Sequence, residues 1–199
     1  MRITARAKAE TRARILAAAG QLFRAGGFAG TSTRDLAGAA GIATGTLFNY
    51  FPSKESLGLA LLADGLKRGQ AGFERHQHGD EGLEELLFAH VAAGLRELEN
   101  CRGFAGDVLE ASLGLFQPAD AVAGASEVRA RHIDLVHELL RVKGNAPAPS
   151  SVTLHLYWTL YLGVLAFWSR DESPNQEDTL AVLDESMQLF VSSLEKATS

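Results

Sequence analysis

The chain has little cysteine and no leader-like N-terminus, and both absences bear on the cellular compartment in which we expect it. Cys101 is the single cysteine among 199 residues, so an internal disulfide is impossible and a reducing compartment is expected. The first eight residues, with Arg2, Arg6 and Lys8 among them, lack the apolar segment of a secretory signal. We therefore expect a cytoplasmic protein.

Catalytic, metal-binding and membrane-spanning patterns are also missing. No Ser-His-Asp arrangement, Gly-rich phosphate loop or carboxylate pair stands out, which argues against an enzyme. The six histidines do not form the i, i+4 pair of a helical zinc site, so we expect neither a metal nor a cofactor. The longest apolar stretch, Leu154 to Trp168, carries His155 and Thr159. It is too short for a bilayer, and no membrane contact is expected.

Charges of the two signs are unevenly distributed. Residues 1–58 hold eight Lys or Arg against three Asp or Glu, whereas residues 59–199 hold eleven against twenty-one. The chain carries a net charge of −5, yet its first part alone carries +5. This split indicates a phosphate-rich partner for the first part, with a chance asymmetry as the plainer alternative.

Helical periodicity runs through most of the chain. Apolar residues recur at three- and four-residue spacings in the longer segments, which predicts an all-α protein of about nine helices. The fifth predicted helix, Glu81 to Glu99, carries one clean stripe. The eighth, from about Ser150 to Arg170, is apolar nearly all round and must be covered on both sides. Its cover is either the rest of its own bundle or a second copy of the chain.

The segment from Thr31 to Leu57 is the most informative part of the sequence. Ser32 is followed three residues later by Asp35, which predicts a capping box at the start of a short helix. Gly41 supplies the left-handed residue that ends this helix.

A second short helix and a long one follow this turn. The second short helix is predicted from Thr44 to Tyr50, after which Pro52 interrupts the chain and Ser53 caps a long helix. Two short helices joined by a tight turn are typical of a helix-turn-helix, whose second helix reads the major groove.

These residues also carry a family resemblance. Over roughly its first quarter the chain resembles the TetR family of transcriptional regulators, in the family's order and without gaps. The matching residues are Arg14-Ile15-Leu16, Ala18-Ala19, Leu22-Phe23, Gly27-Phe28, Thr31, Thr33, Leu36-Ala37, Ala40-Gly41-Ile42, Gly45-Thr46-Leu47-Phe48, Tyr50-Phe51 and Ser53-Lys54-Glu55-Ser56-Leu57.

The resemblance implies a fold and a function. We expect an N-terminal three-helix DNA-binding domain over residues 1–53 and a C-terminal helical bundle over residues 54–199 for effector binding and dimerisation. The implied function is that of a homodimeric repressor, released from a palindromic operator in double-stranded DNA by a small-molecule effector.

The resemblance further assigns DNA contacts by position. Thr can meet thymine methyls and Asn can bridge adenine, while cations and helix starts suit phosphate. The expected base-reading residues are Thr44, Gly45, Thr46 and Asn49, the expected phosphate contacts are Thr33, Tyr50 and Lys54, and Arg34 fits either class.

Two positions depart from the family pattern. Ala43 stands where a Ser or Thr cap is usual, which should cost about 1 kcal/mol unless Thr44 takes that role. Phe48 stands where Tyr is frequent, and without a hydroxyl it is expected to serve packing only.

The effector site and the dimer contact are expected in the C-terminal part. Aromatic walls, with no cluster of cations in the middle helices, favour an apolar or cationic effector over a polyanion, although such rings often simply fill a core. The candidate lining residues are Phe73, Phe88, His90, Phe104, Leu109, Phe116, His132, Trp158 and Tyr161, and the expected dimer residues are Val164, Phe167, Leu183, Met187 and Phe190.

Two other functions fit the same sequence. One is a constitutive DNA-binding protein with a filled core and no effector. The other is a helical enzyme or scaffold that retains the DNA-binding head.

Overall fold

The chain is all-α, as the periodicity predicts. The computed structural model describes residues 4–114, 117–118, 120–143 and 149–198, with the side chains of 195–198 left aside, and within these ranges it contains helices and no strand. Phe116 and Arg2 lie outside the described residues. The helices are α1 Ala5–Gly30, α2 Thr33–Ala39, α3 Thr44–Tyr50, α4 Lys54–Arg75, α5 Leu83–Leu98, α6 Arg102–Leu113, α7 Ala125–Lys143, α8 Ser151–Trp168 and α9 Glu177–Thr198, with 3₁₀ turns at Glu99–Cys101 and Pro174–Gln176.

Two compact units divide the chain. The first comprises residues 1–64 and 100–126, and the second comprises residues 65–99 and 127–199. The first unit thus includes α6, which packs on α1 through Phe104 and Phe23, with ring centroids 5.3 Å apart. This packing unit extends beyond the expected DNA-binding domain of residues 1–53, because periodicity does not reveal which distant helix covers an apolar stripe.

The first unit is built around α1, whose helical path breaks at Gly27. Gly27 has φ 74° and ψ 164°, a conformation that favours glycine, and helical bonding resumes after it to Gly30. Phe28 then turns inward onto Phe23 at 5.1 Å between centroids. Ile15 and Leu36 complete this core at 1% exposure each.

The second unit packs α9 against both α5 and α8. The predicted stripe of α5 is buried, including Leu87, Val91 and Leu98. The second half of α4 approaches α5 unusually closely. A Cβ built at Gly69 would lie 2.8 Å from the Cα of Gly94, so only glycine fits there without a shift of backbone.

Candidate DNA-binding surface and effector site

The first short helix of the helix-turn-helix has the predicted caps. The Asp35 amide donates to the Ser32 hydroxyl at 3.2 Å, and the Ser32 amide donates to the Asp35 carboxylate at 3.1 Å. The Ser32 hydroxyl also donates to the Asp35 carboxylate at 2.6 Å, and this bond, followed by the one from the Ser32 amide, holds the pKa of Asp35 below its usual range. Gly41 has φ 65° and closes the turn, so both local predictions are confirmed.

The second short helix, α3, exposes one face. Leu47 is buried and anchors the helix, Gly45 and Asn49 are exposed, and Thr44 and Thr46 are half-buried. Ala43 is the N-cap residue of α3 and makes no side-chain capping bond, as expected for alanine at this position.

Phe48 corrects one expectation. Its ring is 43% exposed, so it is not a packing residue in this chain. That expectation considered only the hydroxyl that Phe lacks relative to Tyr. The exposure of Phe48 depends instead on its position on α3. An exposed ring on a recognition helix is available to thymine methyl groups.

Lys54, an expected phosphate contact, already has partners inside the first unit. Its Nζ donates to the carbonyl oxygens of Phe28 at 2.8 Å and Thr31 at 3.2 Å, and it lies 4.4 Å from the centroid of the Phe28 ring. Two of the three ammonium hydrogens are therefore committed to the end of α1. The third can still be donated to a phosphate.

The remaining expected DNA contacts lie on α2 and α3. Arg34 is exposed, while Thr33 and Tyr50 are half-buried. Ser53 and Ser56 fix the start of α4 by exchanging amide-to-hydroxyl hydrogen bonds of 3.1 Å in both directions. The predicted cap at Ser53 is therefore confirmed.

In the second unit, four buried rings meet around His132. His132 stacks on Tyr161 with centroids 4.0 Å apart, contacts Trp158 at 5.9 Å, and lies 4.9 Å from His90. Its Nε2 is 3.0 Å from the Tyr157 hydroxyl, and its Nδ1 is 3.4 Å from His90 Nε2. Tyr157 is the member of this cluster that sequence reasoning missed. Its position on the apolar helix α8 carried no signal of a polar partner.

Burial keeps this cluster uncharged. Removing an imidazolium from water costs free energy, so burial lowers the pKa of His90 to about 4. The pKa of His132 is lowered well below its ordinary value by burial and, secondarily, by His90. Burial raises the pKa of Tyr157 and of Tyr161. At neutral pH the cluster presents neutral donors and acceptors.

The predicted lining residues are divided between the units. Those in the second unit are Phe88, which is half-buried, and the buried Phe73, His90, His132, Trp158 and Tyr161. Phe104 and Leu109 lie instead in the first unit, where Phe104 packs on Phe23. Both are buried core residues there, which corrects their grouping with the other candidates.

A cleft of about 750 Å³ opens between α4 and α7 in the second unit. Its floor is apolar, with Phe73 and Leu86 buried beneath it. Phe73 also contacts the His90 ring at 5.3 Å, so the cleft and the histidine pair share one wall. The charged residues at the cleft are Glu74, Glu127, Asp134 and Glu138 against Arg131 and Lys143.

Four of the five expected dimer residues are core residues of a single chain. Val164, Leu183, Met187 and Phe190 are at most 1% exposed, whereas Phe167 is 41% exposed. The expectation is therefore wrong for those four, because helical spacing identified the apolar face of α9 but not what covers it.

The exposed side of α8 carries large apolar side chains beside the exposed His155. Val152 and Leu156 are exposed and share one helical face with Phe167. By length and composition alone α8 could cross a membrane, contrary to the expectation that it is too short, and 33% of it is buried inside the chain. The core helix of a soluble protein meets the same criterion.

Across the part of the chain that the structure describes, no group of three or more His, Cys, Asp or Glu side chains is arranged to hold a metal ion. Cys101 is half-buried at the start of α6.

Two family models match this chain. The model of bacterial regulatory proteins of the tetR family matches residues 15–61, and that of the tetracyclin repressor-like C-terminal domain matches residues 87–198. The second match alone covers more than half of the chain. The protein therefore belongs to the TetR family, and it is a DNA-binding transcriptional regulator, as the helix-turn-helix geometry indicates.

One relative matches about a third of the chain. Over 62 residues the sequence is 45% identical to the HTH-type transcriptional regulator EthR of Mycolicibacterium smegmatis. This match covers 31% of the present chain and 29% of that regulator's length.

Solved structures share the whole fold. A TetR transcriptional regulator from Rhodococcus sp. RHA1 has a TM-score of 0.72 at 21% identity, covering 92% of this chain and 97% of that one. FadR of Thermus thermophilus, solved with lauroyl-CoA, has a TM-score of 0.70 at 25% identity over 90% and 93%. FadR of Bacillus subtilis, solved with stearoyl-CoA, has a TM-score of 0.58 at 17% identity over 90% and 97%.

Proposed function

We propose that this protein is a cytoplasmic homodimeric repressor that binds a palindromic operator and leaves it when a small molecule enters the second unit. The observation that carries the proposal is the helix-turn-helix, with a capping box on α2 and one exposed face on α3. We place the functional boundary between residues 53 and 54, at the start of α4, although the packing unit of the reading head extends to residue 64 and includes α6.

Base recognition falls to the exposed face of α3. Asn49 is exposed and suits adenine, whose N6 and N7 a side-chain amide can bridge. Thr44, Gly45 and Thr46 precede it at the start of the helix, where the backbone can come close to base edges. Arg34, exposed on α2, suits a phosphate on the flank of the groove.

Phe48 adds an apolar contact to this face. We assign its exposed ring to thymine methyl groups, because such contacts are how apolar side chains read the major groove. The operator should then contain a thymine opposite Phe48 in each half-site. Phe48→Ala should lower affinity for the preferred half-site more than for a half-site in which that thymine is replaced by uracil, which lacks the methyl.

Dimerisation is assigned to the exposed face of α8. Val152, Leu156 and Phe167 form an apolar strip that a monomer leaves in water. A second copy of the chain would bury it across a two-fold axis, which suits an operator of two half-sites.

Sedimentation of a charged variant tests this assignment. Phe167→Glu should shift the protein from dimer toward monomer, because an unpaired charge is costly to bury. Val142→Glu is the matched control, since Val142 is an exposed apolar residue on α7 at 59% exposure. A wild-type monomer at micromolar concentration, or an unchanged dimer in Phe167→Glu, would contradict the interface.

The charges of the cleft bear on the effector. Four carboxylates and two cations line it, and the Lys143 amine already donates to the Gly79 carbonyl at 2.8 Å. A polyanion needs converging cations to offset desolvation of its phosphates. An apolar molecule with no charge or one positive charge therefore fits better.

The second candidate effector is an acyl-coenzyme A. The observation in its favour is the pair of FadR structures that contain lauroyl-CoA or stearoyl-CoA and share this fold. An acyl chain suits the apolar floor, whereas the phosphates meet a carboxylate-rich rim. Competition between the two effector classes is therefore a direct test.

Helix α4 is the proposed route of the response. It begins at Lys54, directly after the reading head, and runs to Arg75, beside the cleft. A ligand that favours one position of this helix changes the separation of the two reading heads in the dimer. A preference of a few kcal/mol is enough to shift the population from bound to released.

Operator binding and release test the whole proposal. Genomic DNA fragments selected on the full-length protein should share a palindrome, with half-site centres about one helical turn apart. Fluorescence anisotropy of such a fragment should then fall on addition of the effector. Binding without sequence preference, or no release by any ligand that raises thermal stability, would contradict the proposal.

A further inference from the structure

A cationic side chain of α1 lies beside the end of the recognition helix α3. The guanidinium carbon of Arg12 is 5.4 Å from the centroid of the Phe51 ring. Phe51 is buried and directly follows α3, whereas Arg12 is exposed. The attraction between the cation and the ring face therefore holds the guanidinium at the end of α3, where the side chain stays accessible from outside.

The side of α1 that carries Arg12 is the one that packs on the rest of the first unit. Ile15 and Leu16 follow Arg12 at three- and four-residue spacing, so the three residues share one side of the helix. Ile15 and Leu16 are buried in the core. Lys8 precedes Arg12 by four residues on the same side and is exposed. The inner side of α1 thus changes from apolar to basic toward the N-terminal end of the helix.

The other cations in this part of α1 are placed differently. Arg6 forms an ion pair with Glu10 at 2.8 Å. Arg14 is exposed and lies about 160° around the helix from Arg12, on the outer side. Within the described ranges of the chain, neither Arg12 nor Arg14 forms an ion pair with a carboxylate. Arg12 and Arg14 therefore share a helix and a charge, and only Arg12 is directed toward α3.

A helix that enters the major groove leaves little free space at its sides. With its side chains an α-helix is about 10–12 Å across, and the groove is about 12 Å wide. A side chain held next to the recognition helix by a neighbouring element therefore meets the phosphates at the edge of the groove rather than the bases. A guanidinium suits a phosphate because it can donate two parallel N–H bonds to it.

We propose that Arg12 binds a phosphate at the edge of the groove that α3 enters, and that the Phe51 ring positions its guanidinium for this contact. The proposal rests on the proposed function, which places α3 in the major groove. It adds a contact from α1, where none of the DNA contacts assigned above lies. Phosphate contacts carry no base preference, so Arg12 contributes affinity and fixes the position of α3 on every DNA sequence.

The salt dependence of DNA binding tests this contact in the full-length protein. The probes are an operator fragment selected on the protein and a duplex of unrelated sequence. Arg12→Gln should weaken binding to both by about five- to twentyfold, and it should lower the slope of log affinity against log salt by about two for the dimer. Arg14→Gln is the matched control and should leave the slope unchanged. Arg12→Lys keeps the charge and should keep the slope, although it loses the planar group that stacks on Phe51.

A neutral phosphate analogue identifies the partner of Arg12. Methylphosphonate, placed at successive positions of the operator fragment, measures what each phosphate charge contributes to affinity. One position in each half-site should weaken binding of the wild type but have little effect on Arg12→Gln, because the charge pair is already lost in that variant. A scan in which no position depends on Arg12 would overturn the proposal.

The outcomes separate the phosphate contact from the proposed function. A wild-type slope in Arg12→Gln, with the palindrome still selected, overturns the contact alone, and a lower urea midpoint would then make Arg12 a structural cover for Phe51. Equal losses of slope in Arg12→Gln and Arg14→Gln also overturn it, because long-range attraction would explain both. A wild-type protein that binds neither probe overturns both proposals. If Arg12→Gln does not fold, Arg12→Met, which keeps an apolar stem over Phe51, replaces it.

Discussion

Replacing Lys54 distinguishes a phosphate contact from a clamp within the first unit. The Lys54 ammonium lies at the end of α1, where it donates to two backbone carbonyls and faces the Phe28 ring. Lys54→Met keeps the aliphatic stem and removes these interactions. Two partly exposed hydrogen bonds and one cation–π contact together contribute about 2 kcal/mol, at the low end of what buried equivalents provide.

Urea unfolding followed by far-ultraviolet circular dichroism measures the clamp. Lys54→Met should lower the free energy of unfolding by about 2 kcal/mol, equivalent to roughly 4–8 °C in Tm for a chain of this length. The exposed Lys67, on the same helix, provides the control, and Lys67→Met should change stability by less than about 0.5 kcal/mol.

The salt dependence of operator binding measures the phosphate interaction. Removing one cation from a phosphate should reduce the slope of log affinity against log salt by about 0.9, so its removal from both protomers should reduce the slope by roughly two. If Lys54 serves only as a clamp within the first unit, Lys54→Met should weaken binding to every DNA sequence and leave the salt slope nearly unchanged. The substitution would then destabilise the DNA-binding head without removing an ion pair with phosphate. Unchanged stability together with a slope reduced by two would refute the clamp.

The close helix contact, the buried histidines and the recognition helix each allow a further prediction. Gly69→Ala should lower the free energy of unfolding by about 1–3 kcal/mol, because its Cβ would meet the backbone of α5. The control Gly72→Ala has open space at its Cβ and should raise the free energy of unfolding by roughly 0.5–1 kcal/mol. Equal effects of the two substitutions in urea melts would contradict the close contact. His90 binds a proton near pH 6.5 in the unfolded chain but only near pH 4 in the folded one. The free energy of unfolding should therefore fall by about 2–4 kcal/mol as the pH drops between these values. His90→Phe should flatten this pH dependence, whereas His155→Gln, at an exposed position, should not. Phe48→Ala should reduce affinity for the preferred operator about five- to a hundredfold without changing the salt slope, and a changed slope would argue for a phosphate-side role instead.

The head of the chain could be predicted almost residue by residue. Its structure is encoded locally, in the capping box of Ser32 and Asp35, the glycine turn at Gly41 and the serine cap at Ser53. Such signals act over three or four residues, so a sequence displays them directly. The same locality explains why the internal partners of Lys54 were missed, since Phe28 and Thr31 are more than twenty positions away.

The C-terminal part could be predicted as helices but not as packing. Phe104 was grouped with Trp158 because both are aromatic residues on apolar stripes. In the structure Phe104 covers α1 in the first unit, whereas Trp158 contacts His132 in the second. A stripe indicates that a face is covered and does not name the covering helix. The polar partner of Tyr157 could not be deduced for the same reason, since it lies 25 residues away.

Helix α8 shows how structure and sequence together constrain assembly. Its all-round apolar character required cover on both sides, and one chain covers only part of it. Met187 and Phe190, which we expected at the dimer contact, are instead buried in the chain's own core. Val152, Leu156 and Phe167 of α8 stay exposed in the single chain, and they are the residues that we propose a second copy buries. A side chain buried in the chain's own core is unavailable to a partner, so burial removes Met187 and Phe190 from the proposed interface and leaves the exposed apolar residues of α8 as its candidates.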